Sequence, residues 1–277
     1  MTTTQTVLTS GNDSYTSSTI DEAVIGLAGD DYIHGGNGDD MIAGGAGNDT
    51  IEGGGGNDTV LGGDGDDDLN GRTGDDTLLG GAGDDSITGG IGADTLVGGQ
   101  GNDTFLADED DVFVGGGRGF DTITVKDTDG DDLVDVDFTD GGIRGIEAIV
   151  GDGQGRGDVV NATLSLSNIL SQSQDDGDSE TPDTDNTFIA VGIDSIILEA
   201  NAQWRDGGEI TTTTVDLNAA EEAQYLEMLG ITSAVDLFSY TFTKANGDSV
   251  EIITDLGLDE IFDSNDGEDL STDIDVV

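Results

Sequence analysis

The chain has 277 residues, in which 61 Asp plus Glu face only 7 Lys plus Arg, for a formal net charge of −54. That imbalance excludes sequence-independent binding to nucleic acid and insertion among anionic lipids, unless bound metal first inverts the local field. There is no cysteine, hence no disulfide and no thiolate metal site, and no apolar run reaches the length of a membrane span. Acidity of this degree with 5% aromatics ordinarily gives a disordered chain. The regular spacing of Gly, Asp and apolar residues argues instead for order that depends on a cation.

The Thr/Ser-rich start, residues 1–18, has neither the basic nor the apolar region of a cleavable export signal. Residues 1–25 are expected to form an N-terminal cap of degenerate repeats. LTSGNDSYT keeps Gly11 and Asp13, and SSTIDEAVI keeps only Glu22 and Val24. End repeats of a solenoid are atypical because they cover an open end.

From Gly26 to Leu106 a nine-residue unit then repeats nine times without insertion: GLAGDDYIH, GGNGDDMIA, GGAGNDTIE, GGGGNDTVL, GGDGDDDLN, GRTGDDTLL, GGAGDDSIT, GGIGADTLV and GGQGNDTFL. Positions one and four are always Gly. Position six is always Asp: Asp31, Asp40, Asp49, Asp58, Asp67, Asp76, Asp85, Asp94 and Asp103. Position eight is always apolar, from Ile33 to Phe105. The register continues through ADEDDVFVG and GGRGFDTIT, where Asp121 and Ile123 again hold positions six and eight, so the repeat array is expected to span residues 26–124.

Residues 125–170 carry short β-like runs broken by Gly/Asp turns and are expected to cap the array. Residues 171–186 are polar and acidic, contain the only proline, Pro182, and are expected to be a linker. Residues 187–277 suggest a mixed α/β domain. FIAVGIDSIILEA and EITTTTVDL are predicted strands. Asn218 with Glu221 fits a helix start and Gly230 its stop. FSYTFTK and SVEIITDL, flanking Asn246-Gly247, predict a hairpin.

The repeat has the chemistry of a hard-cation site. Glycines at positions two and four, such as Gly36, Gly38, Gly45, Gly47, Gly54, Gly56, Gly63, Gly65, Gly81 and Gly83, permit φ > 0 and bring main-chain carbonyls together. The position-six carboxylate adds a charged oxygen, and calcium takes six to eight oxygens at about 2.3–2.6 Å. Residues seven to nine are predicted to form a short strand with position eight inward. If two nonapeptides make one coil, repeat i lies beside repeat i+2, and nine repeats give seven complete sites, from Asp31/Asp49 to Asp85/Asp103. The segment holds 17 acidic residues and one basic residue, Arg72, a net −16 that seven divalent ions would nearly cancel. Nine inward side chains are few against the entropy of ordering so Gly-rich a segment. The expectation is an unfolded metal-free state and a folded calcium-bound state. Asp127, Asp129 and Asp131 resemble an EF-type loop without its later Gly and Glu, and leave a further ligand cluster or a solvated turn open.

These residues resemble the repeats-in-toxin (RTX) family of hemolysin-type calcium-binding proteins, over roughly residues 26 to 124 and more loosely to about 170. The resemblance implies an all-β dominated, right-handed parallel β-roll. It also implies a protein of a Gram-negative bacterium that leaves through a type I exporter, using an uncleaved C-terminal signal, and folds outside the cell on calcium. Asp273-Ile274-Asp275-Val276-Val277 is similar to the acidic-then-aliphatic ending of such signals. Leu27 and Arg72 at position two, and Ala93 at position five, depart from the pattern.

No catalytic head is recognisable. H-E-x-x-H and G-x-S-x-G are absent, and His34 is the only histidine, at an outward position. The alternative to a non-enzymatic protein is a carbohydrate-active or other hydrolase that uses carboxylates in residues 187–277, and Trp204 with Arg205, Asp206 and Gly207 is either a ligand loop or packing. The outward faces of odd and even repeats differ. Odd repeats show Tyr32/His34, Thr50/Glu52, Asp68/Asn70, Ser86/Thr88 and Thr104/Leu106. Even repeats show Met41/Ala43, then Thr59/Leu61, Thr77/Leu79 and Thr95/Val97. This Thr ladder beside an aliphatic ladder is a candidate interaction face. It would be covered by the C-terminal domain or used in self-association into an extracellular layer or fibre. An ice-binding array is disfavoured because turn position three carries no Thr array. A cell-surface polysaccharide is the other partner expected of the chain.

Overall fold

In the computed structural model, residues 4–17, 20–108, 110–126, 133–137, 143–150, 159–165, 187–191, 195–199, 211–216, 225–226, 229, 237–243, 249–256 and 261–263 are described. They fall into two compact parts: Met1–Asp129 with Arg144–Ile146, and Gly130–Ile143 with Glu147–Val277.

The first part is a parallel β-solenoid. Its strands are β1 (Thr4–Val7), β2 (Ser14–Thr16), β3 (Glu22–Ala28), β4 (Tyr32–Asn37), β5 (Met41–Ala46), β6 (Thr50–Gly55), β7 (Thr59–Asp64), β8 (Asp68–Thr73), β9 (Thr77–Ala82), β10 (Ser86–Ile91), β11 (Thr95–Gln100), β12 (Thr104–Asp108), β13 (Phe113–Arg118) and β14 (Thr122–Lys126). Odd-numbered strands lie in one sheet, here sheet I, and even-numbered strands in sheet II. Each strand pairs in parallel with the equivalent residues 18 positions on, so Ile33 meets Ile51, Ile51 meets Leu69, and Leu69 meets Ile87. In sheet I, Val24, Ile42, Val60, Leu78 and Leu96 align in the same way. These two columns of position-eight side chains are the core. From Ile33 to Phe105 all nine are fully buried.

The strands are longer than the three residues read from the repeat. Each takes positions seven to nine and then one to three of the next repeat, and leaves only Gly-x-Asp for the turn. Positions two and three still pair with their counterparts one turn on, as Gly36 with Gly54 and Asn37 with Gly55. Glycine at position two therefore acts inside a strand. There φ is positive, 101° at Gly36 and 123° at Gly54, and the chain bends toward the turn. Leu27 and Arg72 hold the same bend at φ 86° and 78°, a conformation that costs a side-chain-bearing residue about 1–3 kcal/mol.

At the N-terminal end, hydrogen bonds within the chain satisfy the degenerate repeats. Asp13 accepts from the Thr9 main chain and hydroxyl, both at 2.7 Å, and the Tyr15 hydroxyl donates to Glu22 at 2.9 Å.

The second part holds β15 (Leu133–Asp137), β17 (Ala148–Val150), β18 (Val159–Ser165), β19 (Thr187–Val191), β20 (Ser195–Glu199), β21 (Thr211–Asp216), β22 (Phe238–Thr243), β23 (Ser249–Thr254) and β24 (Ile261–Asp263), while the two-residue strand β16 (Ile143–Arg144) lies at the division. One sheet runs β15-β18-β20-β24, all parallel. In another, β17, β19 and β23 are parallel and β23-β22-β21 antiparallel. The predicted hairpin is β22/β23, closing at Thr243 opposite Ser249.

The expected α/β mixture is not supported among the described residues. Among the described residues only Tyr225 and Leu226 are helical, with the Leu229 N–H donating to the Tyr225 carbonyl at 3.0 Å. The physical reason lies in the order of the strands. Parallel pairs need a crossover, commonly a helix. Here successive strands from β17 to β20 alternate between the two sheets, so the crossover is itself a strand. Asp127, Asp129, Asp131, residues 171–186, Trp204 to Gly207, Asn218, Glu221, Gly230, Asn246-Gly247 and residues 273–277 lie outside the described residues.

Replacing the fully buried Leu69 by Ala should cost about 2–5 kcal/mol, read from denaturant unfolding in calcium. A cost below about 1 kcal/mol would contradict a close-packed position-eight column.

Candidate metal sites

Each turn leaves four main-chain N–H groups to satisfy, at positions four to seven, and the partners found for them lie in neighbouring turns. The position-four N–H donates to a position-three carbonyl one turn on, as Gly38 to Gly55 at 2.8 Å. The position-seven N–H donates to a position-six carbonyl one turn back, as Thr50 to Asp31 at 2.8 Å. The position-six N–H donates to Oδ1 of the Asp one turn on. This links Asp31 to Asp49, Asp40 to Asp58, Asp49 to Asp67, Asp58 to Asp76, Asp67 to Asp85, Asp76 to Asp94 and Asp85 to Asp103 at 2.7–2.9 Å. Asp103 continues to Asp121 at 2.8 Å.

The position-five N–H completes the set and runs the other way. It donates to the Asp or Asn side chain one turn back, as Asn48 to Asp30 at 3.0 Å, Asn57 to Asp39 at 2.9 Å and Asp84 to Asp66 at 3.0 Å. Sequence reasoning missed this second ladder. Its signal was present, because position five is Asp or Asn in every repeat except the one with Ala93.

With the donors accounted for, what remains in the turn is oxygen. In Asp31, Asp40, Asp49, Asp58, Asp67, Asp76, Asp85, Asp94 and Asp103, Oδ2 is buried and has no hydrogen-bond partner. A buried carboxylate oxygen without a donor is costly unless a cation meets it. Among the described residues no three His, Cys, Asp or Glu side chains cluster as a metal site, so a cation bound here would need main-chain oxygens as well.

Glycine makes the necessary room. A Cβ on Gly35 would lie 2.5 Å from the Gly53 carbonyl and 2.7 Å from Asp40 Oδ2, so position one must be bare for its own carboxylate to fold in. A Cβ on Gly54 would strike the Gly36 carbonyl, and one on Gly56 the Gly38 carbonyl. Gly45, Gly47, Gly63, Gly65, Gly81 and Gly83 repeat this stacking with positive φ throughout. The residues present therefore fit a hard, oxygen-seeking cation.

Burial pushes the carboxyls upward. Asp67, Asp76 and Asp103 rise to about 7, and Asp58 and Asp85 to about 6, while main-chain hydrogen bonds oppose the rise and neighbouring carboxylates add to it. Asp40, Asp49 and Asp94 shift the same way, from the same leading cause. At the cap the direction reverses, because the bonds from Thr9 hold Asp13 below its usual value.

One end of the sheet I turns differs. The repeat ADEDDVFVG carries Val112 at position six, and Asp111 at position five accepts the Asp94 N–H at 3.2 Å in its place. Asp111 also accepts from the Asp108 N–H at 3.0 Å, and burial raises its carboxyl to about 7. The Thr and aliphatic rows of the even repeats lie on sheet I. Thr59, Thr77 and Thr95 form one aligned row and Leu61, Leu79 and Val97 another. Leu61 is 40% exposed, Leu79 36%, and Met41, on the adjoining strand β5, 60%.

Two outcomes follow. Gly54→Ala should cost about 3 kcal/mol or more, since it adds both overpacking and left-handed strain, as measured by thermal unfolding in calcium. For pH, the raised carboxyls mean that a metal-free folded roll keeps protons that the unfolded chain, near 3.8, gives up. Its stability is fully present below pH 3.8 and is lost as pH rises through about 6 to 7. Calcium-free protein should thus hold more β structure by circular dichroism at pH 4 than at pH 7.5. The reverse order would contradict the burial of these carboxylates.

A family model described as the RTX calcium-binding nonapeptide repeat matches the chain four times, over residues 18–51, 44–78, 70–105 and 88–123. No curated protein matches it. The matched segments coincide with the turns whose carboxylates and carbonyls are stacked as above, and residues 18–123 of this chain belong to the RTX hemolysin-type calcium-binding repeats.

Proposed function

We propose that this is a secreted calcium-binding protein whose roll folds as calcium loads outside the cell, and that it serves a structural or surface-associated role. The observation that carries the reading is the row of nine buried Oδ2 atoms without a hydrogen-bond partner, one per turn, in a segment of net −16. Asp31, Asp40, Asp49, Asp58, Asp67, Asp76, Asp85, Asp94, Asp103 and Asp121 are the carboxylate ligands in this proposal, and the carbonyls of glycine positions two and four complete each shell. The seven Asp pairs from Asp31/Asp49 to Asp85/Asp103 each hold one ion, and the Asp103/Asp121 link adds an eighth. The hand of the roll is right, as in nearly all parallel crossovers.

Export fits the same picture. Proteins with these repeats are typically secreted by Gram-negative bacteria, and a type I exporter that passes an unfolded chain matches a fold waiting for external calcium. The Thr and aliphatic rows of sheet I then face a partner. Self-association into an extracellular layer is the use we assign them, because Leu61 and Leu79 expose apolar surface on an otherwise acidic molecule.

Circular dichroism and hydrodynamic radius with and without millimolar calcium test the folding step. The expected result is an expanded coil in chelator and a compact β protein in calcium, and an identical signal in both would sink it. Asp76→Asn keeps an oxygen that can accept the neighbouring N–H and removes charge from two adjacent sites. It should raise the calcium concentration needed for folding several-fold, and an unchanged midpoint would count against ligation by position six. Leu61→Asp with Leu79→Asp should abolish any calcium-dependent assembly in sedimentation while leaving the dichroism intact. Assembly that persists in the double variant would remove the self-association role.

A further inference from the structure

The repeat does not account for one group of side chains. On the outward face of sheet II, Tyr32 and His34 on β4, Glu52 on β6 and Arg72 on β8 converge. The Arg72 guanidinium meets Glu52 Oε2 through Nη2 at 2.6 Å and Nε at 2.8 Å. The Tyr32 hydroxyl donates to Glu52 Oε1 at 3.2 Å, and His34 Nδ1 lies 3.5 Å from Oε2. His34, Glu52 and Asn70 occupy one aligned row. The patch is local, because Ser86, Thr88, Thr104 and Leu106 continue the same columns beyond it with none of this chemistry.

Arg72 is the informative member. It is the sole basic residue of the nine repeats and stands at position two, where seven of the nine repeats have glycine and φ is left-handed. Leu27 shows that the position tolerates a side chain, so the strain alone assigns nothing. Arg72, however, brings a half-exposed guanidinium beside a carboxylate that Tyr32 and Arg72 both orient, next to a Tyr ring that is 42% exposed.

We propose that this patch binds a neutral saccharide through vicinal hydroxyls. Glu52 Oε1, which takes only the Tyr32 hydroxyl and keeps a second lone pair, and the guanidinium N–H groups not spent on Oε2 offer an acceptor and a donor at the spacing of adjacent hydroxyls. The Tyr ring offers a flat apolar surface for the C–H face of a sugar ring. With the roll's −16 offset by calcium, the rest of the chain still carries −38 (−54 minus −16) and disfavours polyanions, which selects a neutral glycan over a sulfated or uronic one. Three neighbouring strands at about 4.8 Å spacing make the patch roughly 10 Å across, the scale of a mono- or disaccharide. The site rests on the calcium reading only in needing a folded roll.

The full chain in millimolar calcium, its fold checked by circular dichroism, is run by affinity electrophoresis through gels holding galactomannan, laminarin or dextran sulfate. The expected result is retardation by at least one neutral glycan and none by dextran sulfate, with Tyr32→Ala and Glu52→Gln each weakening it at least tenfold. Arg72→Gly should lose retardation while its thermal midpoint holds or rises, since glycine relieves the left-handed strain. A folded chain that neither neutral glycan retards overturns the proposal. So does retardation that survives Tyr32→Ala and Glu52→Gln, and so does a lowered midpoint in Arg72→Gly, which would make the cluster structural only. A chain that gains no structure with calcium fails the calcium reading, a result the dichroism reports separately.

Discussion

The roll depends on what the two oxygens of each position-six carboxylate do. Oδ1 accepts the main-chain N–H of the equivalent Asp in the neighbouring turn, which fixes the rise from coil to coil. Oδ2 is buried with no hydrogen-bond donor, an arrangement that a bound cation or a proton would relieve. One residue thus sets the geometry of the stack and presents the oxygen whose burial demands compensation. The apolar columns from Ile33 to Phe105 add cohesion. They do not relieve the demand, because carboxyls driven toward neutrality by burial would otherwise have to take up protons.

The turn is short because its polar groups are spent economically. Positions five and six form ladders that point in opposite directions along the stack, so each turn is tied to the one before it through one side chain and to the one after it through another. Where the pattern fails the same needs are met by other means. Thr9 serves Asp13, Tyr15 serves Glu22, and Asp111 stands in where Val112 has replaced the ladder Asp.

Much of this was legible in the sequence. An apolar residue at every ninth place gave the inward column, the invariant Asp31 to Asp103 gave the row of buried carboxylates, and coiling two repeats per turn gave the 18-residue register. The strand length was not legible, because glycine pairs at positions one and two look like turn and are in fact strand, bent by positive φ at residues such as Gly54. The position-five ladder was hidden by its mixture of Asp and Asn, which differ in charge and are alike in the single acceptor oxygen used. The C-terminal part misled for another reason: runs such as FIAV and SIIL are compatible with several architectures, and only their alternation between two sheets distinguishes a strand crossover from a helical one.

The alternation of repeats between sheets also constrains how such a gene can lengthen or shorten. Loss of two nonapeptides removes one whole coil and returns every later residue to an equivalent place, with Leu61 and Leu79 or their successors still in sheet I and the tyrosine–arginine side still in sheet II. Loss of a single nonapeptide keeps the ladders and the core in register, yet it moves every downstream outward residue to the opposite sheet. The fold would survive such an event while the surface was rewritten. Parity of repeat number, more than repeat sequence, is what holds the two faces apart.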